Sequence, residues 1–382
     1  MIAAWLSPPK LLNLVRLAVI FFASTQLGLH LWPASSLIYG IRVDYLSPTL
    51  YFLDALLVLY LYLTRPKWPG FLSALIPLLL LNLLFSLNLP ASLSWSLHLL
   101  LYLGFITTLS RSFLQNVRPV IILTLVFQTI VASIQVGLGH SLGGLMYYLG
   151  ERMVAVGSPA IATGVFMGEV VLRGYGTFSH PNVLAGWLVV SLLICLKLTQ
   201  NTKARAMLVG LAGLGVLLTQ SRAGGLALFG LIIPFYLLNK FRWRAAYLIV
   251  LACLSWRFSL LTPARADLSA SERRDLQNIS ASVSKTYPFT GTGAQASLAS
   301  YPNLAPGMRL LQPDHNAPTL FFSWFGLVGV LAMLSILRPW KMWGLTSLIP
   351  LAPLLLLDHY FLTSPQGLFI LLLYLKIESA LH

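Results

Sequence analysis

Residues 70–88 read GFLSALIPLLLLNLLFSLN, without one charged side chain. A helix rises about 1.5 Å per residue, so a run of this length matches the roughly 30 Å hydrocarbon core of a bilayer. Working outward, comparable runs occupy 11–31, 47–64, 94–114, 118–138, 182–198, 205–220, 223–238, 245–262, 317–337, 341–357 and 364–380, which predicts about twelve membrane helices. Backbone polar groups in lipid must be satisfied within their own segment. The alternating pattern of barrel strands is absent, so the spans are expected to be helical.

Composition agrees. The chain is 57% hydrophobic and 9% charged, against roughly 25% charged in a soluble domain, and its mean hydropathy is +0.81. The charged groups are too few to clothe a soluble particle. The expected fold is all-α: a polytopic integral membrane protein forming a single membrane domain over residues 1–382. Two long external loops fall at 139–181 and 263–316. The first run follows Lys10 and contains Arg16, the basic flank of a signal peptide, but nothing soluble follows it, so it reads as a first anchor. No internal repeat or low-complexity run is visible.

Charge placement orients the chain. Arg65/Lys67, Arg111/Arg118, Lys197/Lys203/Arg205, Lys240/Arg242/Arg244 and Arg338/Lys341 fall in alternate connections, while 89–93 carries no Lys or Arg. The excess of basic residues on cytoplasmic loops then puts both termini in the cytoplasm and the two long loops outside. Those long loops are cationic too, which the orientation rule does not require. Because the net charge of +15 is divided between two sides of a membrane, nucleic-acid binding is not expected. Cys195 and Cys253 lie in apolar runs and read as small apolar residues.

The segment from Ser269 to Gly329 holds Arg273, Arg274, Lys285 and Arg309 upstream of Asp314-His315-Asn316. Ser269 and Glu272 have capping-box spacing, and Leu276, Ile279 and Val283 recur at helical spacing until Tyr287-Pro288. This predicts an amphipathic helix lying on the membrane, apolar side down. Its Arg273 and Arg274 are open to two readings, a solvated face touching lipid headgroups or a phosphate clamp, since guanidinium forks match phosphate oxygens. Thr290-Gly291-Thr292-Gly293 has the look of a phosphate-cradling turn, though Gly-x-Gly alone is weakly specific. Arg222, in Gln220-Ser221-Arg222-Ala223-Gly224-Gly225, lies at a membrane boundary, where an arginine either snorkels or marks a site.

Seven histidines are present. His30, His98, His140 and His382 have no sequence neighbours that suggest chemistry. His180 precedes Pro181-Asn182 at a helix start, where a capping role is expected. His315 sits beside Asp314 and Asn316, and His359 beside Asp358. An imidazole near a carboxylate suits a general base near neutral pH. There is no His-Glu-x-x-His, no Asp-x-Asp and no Walker sequence, so neither a metal nor another cofactor is expected, and any transferred group arrives already activated.

Taken in order, Gly176-Thr177-Phe178-x-His180-Pro181-Asn182-x-Leu184-Ala185, Ser221-Arg222-Ala223-Gly224, Pro288-x-x-Gly291-x-Gly293, and His315-Asn316 with Gly326 and Gly329 resemble the O-antigen ligase superfamily. That superfamily includes O-antigen polymerases and bacterial O-linked oligosaccharyltransferases. The resemblance covers roughly residues 170–365, with Asp358-His359-Tyr360 adding to it. It implies a GT-C-like membrane glycosyltransferase in the bacterial inner membrane, metal-independent and inverting, acting on the external face. The donor would be a glycan on a polyprenyl (undecaprenyl-type) diphosphate, and the acceptor a hydroxyl of a glycan, a lipid such as the lipopolysaccharide core, or a protein. His315 carries over as the base, and Arg222 with one of Arg273 and Arg274, the latter favoured, as diphosphate ligands. Arg173, His180, Asn182, Lys285, Asp314, Asn316, Asp358 and His359 are possible supporting residues. The family often has Glu where this chain has Trp324. A transporter or flippase for a lipid-linked sugar is the rival reading, although such proteins usually carry inverted repeats and ionisable groups at the midplane.

Overall fold

The computed structural model describes residues 8–234, 268–307, 310–337 and 348–381. The expected span 245–262 lies outside the described residues, as do Cys253, Arg257, Arg309 and parts of the runs at 223–238 and 341–357.

The described chain is mostly helical, with helices apolar enough for a membrane. Helices α1 (Pro8–Phe22), α2 (Phe52–Thr64), α3 (Gly70–Leu84), α4 (Leu89–Thr107), the short α5 (Arg111–Gln115) and α6 (Arg118–Leu138) form the first half. After a long connection come α7 (Pro181–Leu198), α8 (Thr202–Thr219) and α9 (Arg222–Gly225), the last continuing as a π-helix over Leu226–Ile232. The later part holds α10 (Leu268–Thr286), α11 (Ala317–Leu337), α12 (Ala352–Leu357), α13 (Tyr360–Thr363) and α14 (Pro365–Leu381). Among the described residues, five helices are long and apolar enough to cross a bilayer: α4, α6, α7, α8 and α11. Helix α7 is apolar on every side and correspondingly buried on every side, packed by α6, α8 and α14.

Several boundaries depart from the expected runs. The run 11–31 stops at Phe22, because the hydroxyls of Ser24 and Thr25 fold back onto the carbonyls of Phe21 and Phe22 (both 2.8 Å). The chain then enters strand β1 (Gly28–His30), paired antiparallel with β4 (Thr49–Tyr51). Between them lies the hairpin β2 (Leu37–Ile38) and β3 (Ile41–Arg42), and the long connection before α7 carries another, β5 (Thr163–Phe166) and β6 (Glu169–Leu172). Both hairpins turn on a positive-φ pair, Tyr39-Gly40 and Met167-Gly168, the backbone geometry that suits two-residue turns. The run 94–114 begins instead at Leu89, where Asn88 caps the helix, and it ends before Ser110, which caps α5.

Helix α11 is broken in the middle. Gly326 has φ 59° and ψ −165°, a conformation essentially confined to glycine. Residues 288–293 fill the break. The N–H groups of Thr292 and Gly293 donate to the carbonyls of Ser323 (3.0 Å) and Trp324 (3.1 Å), and those of Leu327 and Val328 donate to the carbonyls of Pro288 (2.9 Å) and Phe289 (3.0 Å). Asn82 of α3 completes the joint, donating to the Trp324 carbonyl (2.9 Å) and accepting from the N–H of Ala294 (2.8 Å). Backbone groups freed inside an apolar bundle must find partners in the protein, and here they do. The Gly291-Thr292-Gly293 turn therefore does not cradle phosphate, because the N–H of Gly291 is spent on the Tyr287 carbonyl and those of Thr292 and Gly293 on α11.

Helix α10 also corrects an expectation. Its buried Leu276 and Val283, with Ile279, pack against Ile38, Val43, Leu46, Leu298 and Tyr301 from the β2–β3 connection and the segment after α10. The apolar stripe covers protein rather than lipid. Burying a Leu or Val side chain is worth about 1.5–3 kcal/mol, enough to hold the helix over this layer.

Candidate functional site

Two buried glutamines on α6 fix the loop leading into α7. Gln128 donates to the hydroxyl of Thr177 (2.8 Å) and accepts from its N–H (3.0 Å), while Gln135 accepts from the N–H of Gly176 (2.8 Å) and donates to its carbonyl (2.8 Å). Gly176 has φ +58°, and a Cβ there would lie 2.4 Å from the Gln128 amide oxygen. The Gly-Thr-Phe sequence is thus a rigid approach to His180. The His180 ring caps α7: its Nδ1 accepts from the N–H of Asn182 (3.2 Å), which leaves the proton of the neutral ring on Nε2. Burial lowers the His180 pKa to about 4, with Asp358 opposing and the neighbouring cations adding to the fall.

Helices α7 and α9 start side by side. A Cβ on Gly224 would meet that of Ala185 at 2.8 Å, and one on Gly186 would strike the Tyr360 hydroxyl at 2.0 Å. Small residues let the backbones approach this closely. Arg222 consequently stands in the first turn of α9, whose N-cap Ser221 accepts from the N–H of Gly224 (3.2 Å). Beside it, Arg173 donates to the Thr219 carbonyl (2.6 Å) and to Asn182 Oδ1 (2.7 Å). Burial lowers the Arg173 pKa; Tyr175 and Asp358 push it back up, while Arg222 and Arg273 add to the fall.

Asp358 is the hub. It is 3% exposed, accepts from Asn182 Nδ2 (2.8 Å) and from the N–H of His359 (2.8 Å), and has its Oδ1 3.7 Å from His315 Nδ1. Burial pushes its carboxyl upward, but His315, His359 and His180 more than offset this, leaving it below the usual carboxylate range. The rings of His315 and His359 lie 4.9 Å apart, and Nδ1 of His315 is buried with no hydrogen-bond partner among the described residues. His359 is bonded through Nδ1 to the Thr363 hydroxyl (2.7 Å), with the Tyr45 ring edge-on at 5.5 Å. Burial brings the His359 pKa down to about 3, with Asp358 opposing.

Helix α10 contributes Arg273, which is half-buried, has a buried Nε and lies within electrostatic reach of Arg173 and His359. Arg274, favoured on sequence grounds, is exposed, as is Lys285. Asp314 accepts from the Thr319 hydroxyl at the start of α11; burial raises its carboxyl despite that bond. Asn316 accepts from the N–H of Thr319 (3.1 Å) and so caps the same helix. These two position His315 by fixing the helix end. The carboxylate that faces its ring is Asp358, not the adjacent Asp314.

A cavity of about 510 Å³ is lined by His180, Asn182, His315, Asp358 and His359, together with Arg152, which the sequence reading did not single out. Arg152 donates to the Ser179 carbonyl (3.2 Å). Arg173, Arg222 and Arg273 are not among the lining residues, but Arg173 lies within electrostatic reach of Asp358, Arg222 and Arg273, and Arg273 within reach of His359. His315, Asp358 and His359 could also offer donor atoms within 4.8 Å of one another to a metal ion. Both Asp358 oxygens already accept hydrogen bonds, however, and a divalent cation here would face the nearby guanidinia with a single carboxylate. The field suits an anion better. No protein-family model matches the chain, and no curated protein is detectably similar to it.

Proposed function

We propose that this protein is a membrane glycosyltransferase that moves a glycan from a polyprenyl diphosphate to an acceptor hydroxyl, as its resemblance to the O-antigen ligase superfamily implies. The observation that carries the reading is the pairing of His315 with Asp358 on the cavity wall, with Asp358 within electrostatic reach of Arg173 and Arg173 within reach of Arg222 and Arg273. A polyprenyl diphosphate leaves as a multiply charged anion, and fixed guanidinium forks stabilise the charge that develops.

The acceptor oxygen attacks the anomeric carbon as the bond from that carbon to the diphosphate oxygen breaks, and the hydroxyl proton passes to His315. Because Nδ1 faces Asp358, Nε2 is the basic atom, and the carboxylate stabilises the imidazolium that forms. The 3.7 Å separation is longer than a hydrogen bond and would shorten on substrate binding. No step requires a metal. The acceptor then distinguishes a ligase, a polymerase and a protein oligosaccharyltransferase that share this chemistry. Convergence of the cations on the helix starts near the long connections, rather than along a path through the bundle, supports an enzyme over a flippase. The site is expected on the external face of the inner membrane.

The test uses protein reconstituted with a polyprenyl-diphosphate oligosaccharide. His315→Ala should abolish transfer while leaving donor binding nearly unchanged, because a base acts in the transition state. Normal turnover by that variant, or failure through lost donor binding alone, would remove His315 as the base. Chelation of divalent metals should leave wild-type turnover intact, and a chelator-dependent loss would instead favour the metal set.

A further inference from the structure

The cavity has a second stretch of wall that the transfer chemistry does not use. His98 lies near the middle of α4, and its Nε2 is 3.0 Å from Oδ2 of Asp54 in the first turn of α2. The same oxygen accepts from the N–H of Tyr51 (2.7 Å), closing a capping box. Asp54 is 8% exposed, and its Oδ1 is buried with no hydrogen-bond partner among the described residues. Because a carboxylate only accepts, His98 donates through Nε2 and keeps Nδ1 for another partner. His98, Tyr51, Trp95, Ser94 and Thr49 all line the cavity, and the Trp95 indole is pinned by its bond to the Leu362 carbonyl (2.7 Å) on α13, next to His359. Sequence neighbours could not reveal this, since Asp54 and His98 are joined only by the fold.

An ionisable pair buried in an apolar helix bundle is costly, and one whose histidine meets a cavity is a candidate to serve a ligand. The surrounding groups are hydroxyls and aromatic rings, and the local charge is a carboxylate, which disfavours an anion. Polar groups placed on an aromatic wall suit a neutral polyhydroxylated ligand. We propose that His98, Tyr51 and Trp95 form a monosaccharide subsite that holds the acceptor sugar, with the His98 ring, oriented by its bond to Asp54, bonding a hydroxyl through Nδ1. The acceptor assignment rests on the glycosyltransferase reading, whereas sugar binding itself does not.

The experiment is saturation-transfer difference NMR on the full chain in lipid nanodiscs, with the methyl glycosides of glucose, galactose, mannose and N-acetylglucosamine as probes. At least one glycoside should receive saturation from the wild type. His98→Phe should weaken that binding about tenfold, the scale of one lost hydrogen bond, and Asp54→Asn, which loosens the His98 ring, should weaken it less. His98→Gln, which still hydrogen-bonds, should recover part of it and decides the matter if His98→Phe does not survive purification. Absence of saturation transfer to all four glycosides, or binding indifferent to both Asp54→Asn and His98→Gln, would overturn the subsite. Glycoside binding that depends on His98 without any transfer from a polyprenyl-diphosphate donor would sink the transferase reading and leave the sugar site standing. Transfer by an enzyme whose glycoside binding ignores His98 would do the reverse.

Discussion

Arg273 and Arg274 are adjacent in sequence, yet on a helix they point about 100° apart. Arg273 turns toward Arg173 and His359, and Arg274 is exposed. The amphipathic pattern of α10 was legible, but choosing between neighbouring arginines needed the protein layer that the helix covers, and that layer comes from the β2–β3 connection and the segment after α10. Arg273→Ala should therefore lower transfer by about 10²–10³, the effect of losing one donor to a developing charge, while Arg274→Ala stays near wild type. Arg273→Lys should rescue poorly, because a point charge lacks the fork. Steady-state transfer rates at matched protein levels check this, and equal losses in the two alanine variants would contradict the orientation of α10. His315 was legible from its place at a helix start. Its carboxylate partner was not, because Asp358 reaches it only through the packing of α12 and α13 beside α11.

At the scale of elements, apolar runs predicted α6, α7 and α14 to within a residue or so, since the length of an uninterrupted apolar run can be read directly. They did not reveal that α11 breaks at Gly326, nor why Gly291 and Gly293 stand where they do. Those glycines make sense only as a mutual fit: a Cβ on Gly326 would lie 2.3 Å from the Phe289 carbonyl oxygen, and one on Gly291 would lie 2.4 Å from the Trp324 carbonyl. Neither obstacle is a flexible side chain. Gly326→Ala should cost at least about 1–3 kcal/mol from backbone strain alone, and more from the clash. Gly225→Ala should be far milder, because a Cβ there meets nothing within 4 Å. Thermal midpoints of the purified variants decide this, and a Gly326→Ala protein as stable as Gly225→Ala would mean the joint relaxes freely. Trp324 fits the same logic, its indole donating to the Ser297 hydroxyl (3.2 Å) within the joint.

At the scale of the whole molecule, the site ties α7, α11 and α13 together through two imidazoles held neutral by burial. The His180 and His359 pKa values fall to about 4 and about 3, below the roughly 6.5 of an unfolded histidine. The unfolded chain thus binds more protons than the folded one between those values, so stability should be full above about pH 6.5 and decline as pH falls toward 4. Asp358, held low, adds its loss only below about pH 4, whereas the raised Asp314 opposes the trend slightly. The His180 share can be isolated with His180→Asn, since asparagine is a good N-cap and does not titrate. Thermal midpoints from pH 8 to 4.5 should fall more steeply for wild type than for His180→Asn, with the two close together at pH 8. Parallel curves would mean that His180 takes up its proton in the folded protein as easily as in the unfolded chain, and that the imidazole cluster does not couple the helix ends to pH.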